Sequence, residues 1–162
     1  MVLNLGTSTM LRISKLTDYA IIVLCRMAQN PECTHTVSDL SSAVGLAVPT
    51  VSKVLKLSSR AGIVHSSRGS KGGYYLSGAP ESISIAAIIR ALEGPIALTE
   101  CGLEHDTCAK ASSCQAKGHW HVINRAIQTA LDAITLADLS TPPGPNGGLT
   151  SSTVFPLKLL LE

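Results

Sequence analysis

No stretch of the 162-residue chain approaches the roughly 18 consecutive apolar residues of a membrane-spanning helix, so no membrane association is expected. The opening Met1-Val2-Leu3-Asn4-Leu5 has no basic residue before its apolar part, which is not the form of a secretory signal. The five cysteines are odd in number, and without such a signal they do not read as a disulfide framework. There is no C-x2-C or C-x4-C pair, the usual spacing of a structural zinc site. A Walker loop is absent too. The one basic, glycine-rich loop precedes strand-forming residues, where a Walker loop would precede a helix. These absences lead to the expectation of a cytoplasmic protein with reduced thiols.

What the chain does have is a cluster of thiols. Cys101, Cys108 and Cys114 sit at spacing C-x6-C-x5-C, separated by small, polar and charged residues. A core cysteine lies in an apolar run, and these do not. Three thiolates on one loop can converge on a soft metal centre, zinc or an iron–sulfur cluster, and the spacing alone does not separate the two. A fourth ligand must come from elsewhere in the chain, from a second subunit or from solvent. Cys25 and Cys33 lie in or just after a helical pattern and read as structural.

Charge is unevenly spread. Residues 10–92 carry nine Lys/Arg against four acids, while residues 93–162 carry four against seven. A basic first half suits an anionic partner, with nucleic acid first among them, although a solvated basic surface would look the same.

Periodicity predicts a first helix with Leu16, Ala20, Val23, Leu24 and Met27 on one face and Thr17 and Asp18 in its first turn. Thr36-Val37-Ser38-Asp39 is a capping box opening a short helix through Ala43. Val44-Gly45-Leu46 reads as a tight turn, and Pro49 fits the first position of a second helix running to about Arg60. Gly62 suits its left-handed end. Two short helices around a glycine turn form a helix-turn-helix pattern, which is also common as a plain amphipathic pair. Val51, Val54 and Leu55 face inward. Pro49, Thr50, Ser52, Lys53 and Lys56 are the candidate DNA-binding residues of the second helix, hydroxyls suiting base edges and cations suiting phosphates. Ile63–Ser66 and Tyr74–Leu76 read as strands flanking a loop that presents Arg68 and Lys71. A basic hairpin directly after a helix-turn-helix is a wing.

A further helix is predicted over Ser84–Leu92 and ends at Gly94-Pro95. After the cysteines, a long helix runs from Trp120 to about Ile134. Its apolar stripe, Ile123, Ala126, Ile127, Ala130, Leu131 and Ile134, is wide enough to pack on its own domain or on a second copy. The expected fold is mainly α: a winged helix-turn-helix DNA-binding domain (10–92) after a disordered leader (1–9). A cysteine loop (93–118), a dimerisation helix and its end (119–140), and a Pro/Gly/Ser-rich flexible tail (141–162) follow.

Several motifs together resemble the Rrf-type winged helix-turn-helix regulators, the family of the IscR and NsrR types. They are Leu16-Thr17-Asp18-Tyr19-Ala20, the segment Pro49 to Leu55, the wing Arg68-Gly69-x-x-Gly72-Gly73-Tyr74, and three cysteines before a Trp-bearing helix. Asn124-Arg125-Ala126 is most similar to the branch that regulates SUF iron–sulfur assembly genes. The resemblance covers about residues 10–140. It implies a homodimer on a double-stranded DNA operator. It also implies an iron–sulfur cluster, 2Fe-2S before 4Fe-4S, on Cys101, Cys108 and Cys114. Where the IscR type has a histidine three residues after its last cysteine, this chain has Lys117. Asp18 stands where the NsrR type supplies an aspartate from the other subunit, so Asp18 in trans is the expected fourth ligand; a plain helix-start charge is its other reading. Arg68 matches a wing arginine that the family places near the minor groove. Ser52 replaces an acidic base reader of the IscR type, so operator preference should differ.

The function expected on these grounds is a non-enzymatic repressor of SUF-type genes. One alternative is a nitric-oxide or redox sensor acting on other genes; another, of a different class, is a zinc-stabilised interaction module whose helix-turn-helix does not read DNA. A thiol enzyme is a third alternative, but the sequence places no Cys–His pair, although His105 is close, and no substrate pocket is evident.

Overall fold

The computed structural model describes residues 13–69, 72–98 and 117–140. The leader, Lys71, all three loop cysteines (Cys101, Cys108, Cys114) and the tail lie outside the described residues.

Helix α1 (Lys15–Ala28) starts at Ser14, whose hydroxyl accepts the Thr17 N–H. Its periodic positions Ala20, Val23, Leu24 and Met27 have no exposed surface, as the spacing predicts. Helix α2 (Val37–Val44) opens on the Thr36 hydroxyl, which accepts the Asp39 N–H at 3.1 Å. It ends on Gly45 at φ 68°. Helix α3 (Val48–Arg60) begins one residue earlier than the sequence pattern places it, so Pro49 takes the second position. Proline is tolerated there because first-turn N–H groups have no partner within the helix.

The wing is β1 (Val64–Ser67) paired antiparallel with β2 (Gly73–Leu76), Val64 opposite Leu76 and Ser67 opposite Gly73. A third segment joins it. His35 and Tyr74 exchange both backbone hydrogen bonds, at 2.7 and 2.8 Å. This close approach explains Gly73, where an added Cβ would lie 2.5 Å from the His35 carbonyl oxygen. The glycine therefore admits a neighbouring strand as well as allowing the wing to turn.

Beyond a 3-10 turn at Pro80–Ser82 come α4 (Ile85–Glu93), capped by Ser84, and α5 (Lys117–Ala133). The long helix starts earlier than expected and stops before Ile134. A short helix α6 (Leu136–Ser140) follows. The break is chemical. Thr135 N–H and hydroxyl both donate to the Asp138 carboxylate, at 2.9 and 2.7 Å, and the Thr135 hydroxyl accepts the Asp138 N–H. The flanking backbone is taken by the start of α4: Ile85 N–H donates to the Ile134 carbonyl and Leu136 N–H to the Ile83 carbonyl, both at 2.8 Å.

Helix α1 is the hub, packing on α2, α3, α4, α6 and β2. The core it organises includes Ile96 and Leu136, beyond the helix-turn-helix and wing. Ile127, Leu131 and Ile134 pack against that core, whereas Val122 and Ile123 stay exposed. The stripe of α5 thus divides. Its later half packs on its own chain and its earlier half faces out. No single helix among the described residues is long and apolar enough to cross a membrane.

Gly45 has open space around a Cβ, so only its left-handed backbone resists substitution. Gly45→Ala is expected to cost about 1–2 kcal/mol from that conformation alone, read as a lowered denaturant midpoint with an unchanged slope.

Candidate nucleic-acid interface

Between α2 and α3 the chain bends by 117°, within the range of helix-turn-helix pairs. Two devices hold the turn: Gly45 in the left-handed region, and the Ser41 hydroxyl donating to the Leu46 carbonyl at 2.6 Å. Val51, Val54 and Leu55 are fully buried, which fixes the rotation of α3 and decides which residues face out. Pro49, Lys53 and Lys56 are exposed, and Thr50 and Ser52 are half-buried. The start of α3 carries no side-chain cap and no acid in its first turn. A helix start of that kind attracts phosphate.

Arg68 is exposed on the wing that follows directly from α3 through β1. Among the described residues the one salt bridge is Arg90–Asp132, at 3.0 Å. Lys53, Lys56 and Arg68 therefore have no carboxylate partner among those residues, and their charge is available to a polyanion. The structure brings Pro49, Thr50, Ser52, Lys53 and Lys56 onto one outward side of α3.

Two features of this surface escaped the sequence reading. Val48 opens α3 with 48% of its surface exposed and lies four residues before Ser52, on the same line of the helix. Spacing gave no signal for it, because Val48 stands three residues before Val51 and seven before Leu55, in register with the inward stripe; it is exposed because it opens the helix, at the edge of that stripe. Arg60 is also exposed, four residues after Lys56.

Asp18 is exposed in the first turn of α1. Its backbone N–H is bonded to the Ser14 carbonyl, and its carboxylate makes no hydrogen bond or ion pair among the described residues. That placement suits both a helix-start charge and an outward-facing ligand. Nearby, the Glu93 carboxylate at the end of α4 accepts the Ser14 N–H at 2.9 Å and the hydroxyl of fully buried Thr17. The start of α1 is thereby tied to the residue from which the chain leaves α4. The Ser14 and Thr17 hydrogen bonds hold the Glu93 carboxyl below its ordinary value of 4.5. A depressed carboxyl contributes stability that is present above the ordinary value and lost as pH falls through the folded one. A plot of Tm against pH should therefore steepen on its acid side for the native chain and flatten there for Glu93→Gln.

No group of three or more His, Cys, Asp or Glu among the described residues could hold a metal ion. Cys25 is half-buried, and burial pushes its thiol up, as suits a packed, unreactive residue. Cys33 is exposed in the turn after α1.

The chain is similar to known transcriptional regulators. A family model, Rrf2, described as an iron-dependent transcriptional regulator, matches residues 13–142. The protein rrf2 of Nitratidesulfovibrio vulgaris Hildenborough is 30% identical over 104 residues, covering 64% of this chain and 69% of that protein. The structure of CymR, the global cysteine regulator of B. subtilis, superposes with a TM-score of 0.63 at 29% identity, covering 81% of this chain and 97% of that one. T. potens IscR gives 0.58 at 29% identity, covering 79% and 85%.

Proposed function

This chain belongs to the Rrf2 family of DNA-binding transcriptional regulators and is not an enzyme; from that premise we propose that it is a cytoplasmic repressor of SUF-type iron–sulfur assembly genes, sensing through a cluster on Cys101, Cys108 and Cys114. The observation that carries this reading is the placement of three thiols, in a polar segment, between the DNA-binding unit and the long helix α5. The donor chemistry fits. Thiolates are soft ligands suited to iron–sulfur clusters, and Asp18 offers a hard carboxylate without a partner among the described residues. Asp18 would complete the site from the second protomer. A bound cluster would supply a centre whose loss reports iron and oxidant supply.

The chain's own part is mechanical. Pro49, Thr50, Ser52, Lys53, Lys56, Arg68 and Lys71 meet the duplex. The outward half of α5, carrying Val122 and Ile123, meets a second copy. A symmetric pair of recognition helices then fits two half-sites, and any change in the angle between protomers alters that fit. Ser52 stands where the IscR type has an acidic base reader, so the operator is expected to differ from that type's; Lys117 stands where that type has a histidine, so the fourth ligand is expected to differ as well.

The test is anaerobic purification with iron and sulfide analysis, followed by binding to the SUF promoter with loaded and metal-free protein. Iron and sulfide together with visible absorbance, and tighter promoter binding by the loaded form, are expected. In the triple variant Cys101→Ser, Cys108→Ser, Cys114→Ser both should vanish. Zinc without colour, or equal promoter affinity in the two forms, rejects cluster sensing.

A further inference from the structure

Asn124 sits on α5 with 5% of its surface exposed, on the side of the helix that also carries Ile127 and Leu131. Burying an amide there costs free energy unless the amide is used. One half of it is used. Asn124 Oδ1 accepts the Leu98 N–H at 2.9 Å. One turn later on the same helix, Gln128 Nε2 donates to the Ile96 carbonyl, also at 2.9 Å. Two side-chain amides at i and i+4 therefore grip the backbone of residues 96–98, and Ile96 itself is buried in the core. The other half of Asn124, Nδ2, has no partner among the described residues, although a buried amide of this kind normally finds one.

The position of this grip matters. Leu98 precedes Cys101 by three residues, a chain length of at most about 10 Å. At the other end, Cys114 precedes Lys117, the first residue of α5, by three residues. Leu98, held by Asn124, and Lys117, the first residue of α5, are the described residues on either side of the thiol-bearing segment, and Asn124 and Lys117 stand roughly 10 Å apart along the helix axis. Cys101 is only three residues from Leu98, and Cys114 only three from Lys117.

Resting on the thiol assignment made above, we propose that Asn124 and Gln128 are positioning residues that couple ligation at the cysteines to the pose of α5, and through α5 to the spacing of the recognition helices. Without the two amides the segment would still hold its ligand by the thiols, and the DNA-binding unit would still fold. The two would no longer inform each other. Coupling of this kind is a difference in affinity between two states.

The experiment uses the full chain, loaded and metal-free, and a duplex selected by the loaded protein from a random pool. Fluorescence anisotropy gives the ratio of operator affinities in the two forms. For the native chain a ratio of about tenfold is expected, within the ordinary range of allosteric coupling. For Asn124→Ala with Gln128→Ala the ratio should fall to near one while visible absorbance and iron content are kept. A merely structural role would lower stability and leave the ratio unchanged, and a ratio that survives in the double variant overturns the coupling. Should that variant fail to fold, hydrogen exchange of the native chain decides: the Leu98 amide must be protected in both forms, and free exchange overturns the grip. A protected Leu98 in a native chain whose ratio is one rejects the sensing function instead.

Discussion

Lys53→Ala combined with Lys56→Ala is expected to weaken operator binding on the order of a hundredfold or more at physiological salt and to flatten its salt dependence. Both cations are exposed on α3, and neither meets a carboxylate among the described residues. Their removal leaves the inward face, Val51, Val54 and Leu55, intact, so stability should hardly change. Each phosphate contact releases a counterion and contributes about 0.9 to the slope of log affinity against log salt. With two cations per protomer and two protomers on the duplex, the slope should fall by roughly 3–4. Anisotropy titrations over a salt series measure it. The loss should be uniform across operator variants, because phosphates carry no sequence information. Changes at Ser52 or Val48 should instead alter which sequences bind. An unchanged slope in the double variant would mean that α3 does not lie against the backbone of DNA.

The helix-turn-helix was legible because its signals are local. A capping box, a left-handed glycine and an early proline mark α2 and α3 within a few residues of each other, and each acts through its immediate neighbours. Gly73 was only half legible: the need for a turn shows in the sequence, but the His35 backbone that excludes a side chain lies 38 residues away. Asn124 was noticed for its likeness to a known branch and not for its chemistry. The amide in the apolar stripe was the visible clue, and its partner Leu98 could not be assigned without the fold. The division of the α5 stripe was illegible for a related reason. Periodicity shows that a face is apolar and is silent on which half another element covers. Thr135-Leu136-Ala137-Asp138 has the same form as Thr36-Val37-Ser38-Asp39; periodicity alone placed the end of the long helix near Ile134, but the short helix α6 that this second box opens was not anticipated.

That second capping box leads to the other large effect. Leu136→Ala is expected to destabilise the chain by about 2–5 kcal/mol, a fall in Tm of roughly 5–20 °C. Helix α6 has only five residues, too few to persist by its own hydrogen bonds. It is held by Leu136, which has no exposed surface and belongs to the core that α1 organises. The backbone on either side of Thr135 is already bonded to the start of α4, so the site has little freedom to collapse around a missing side chain. A cavity that cannot close is costly. Leu139, on the same short helix but 39% exposed, is the control, and its alanine variant should change stability by less than about 0.5 kcal/mol. Because α6 packs on α1 and α1 packs on α3, the Leu136 variant should also loosen the recognition helix. Operator affinity should then fall more steeply with temperature than in the native chain. Equal melting of the Leu136 and Leu139 variants would show that α6 is not docked, and that the fold is complete without it.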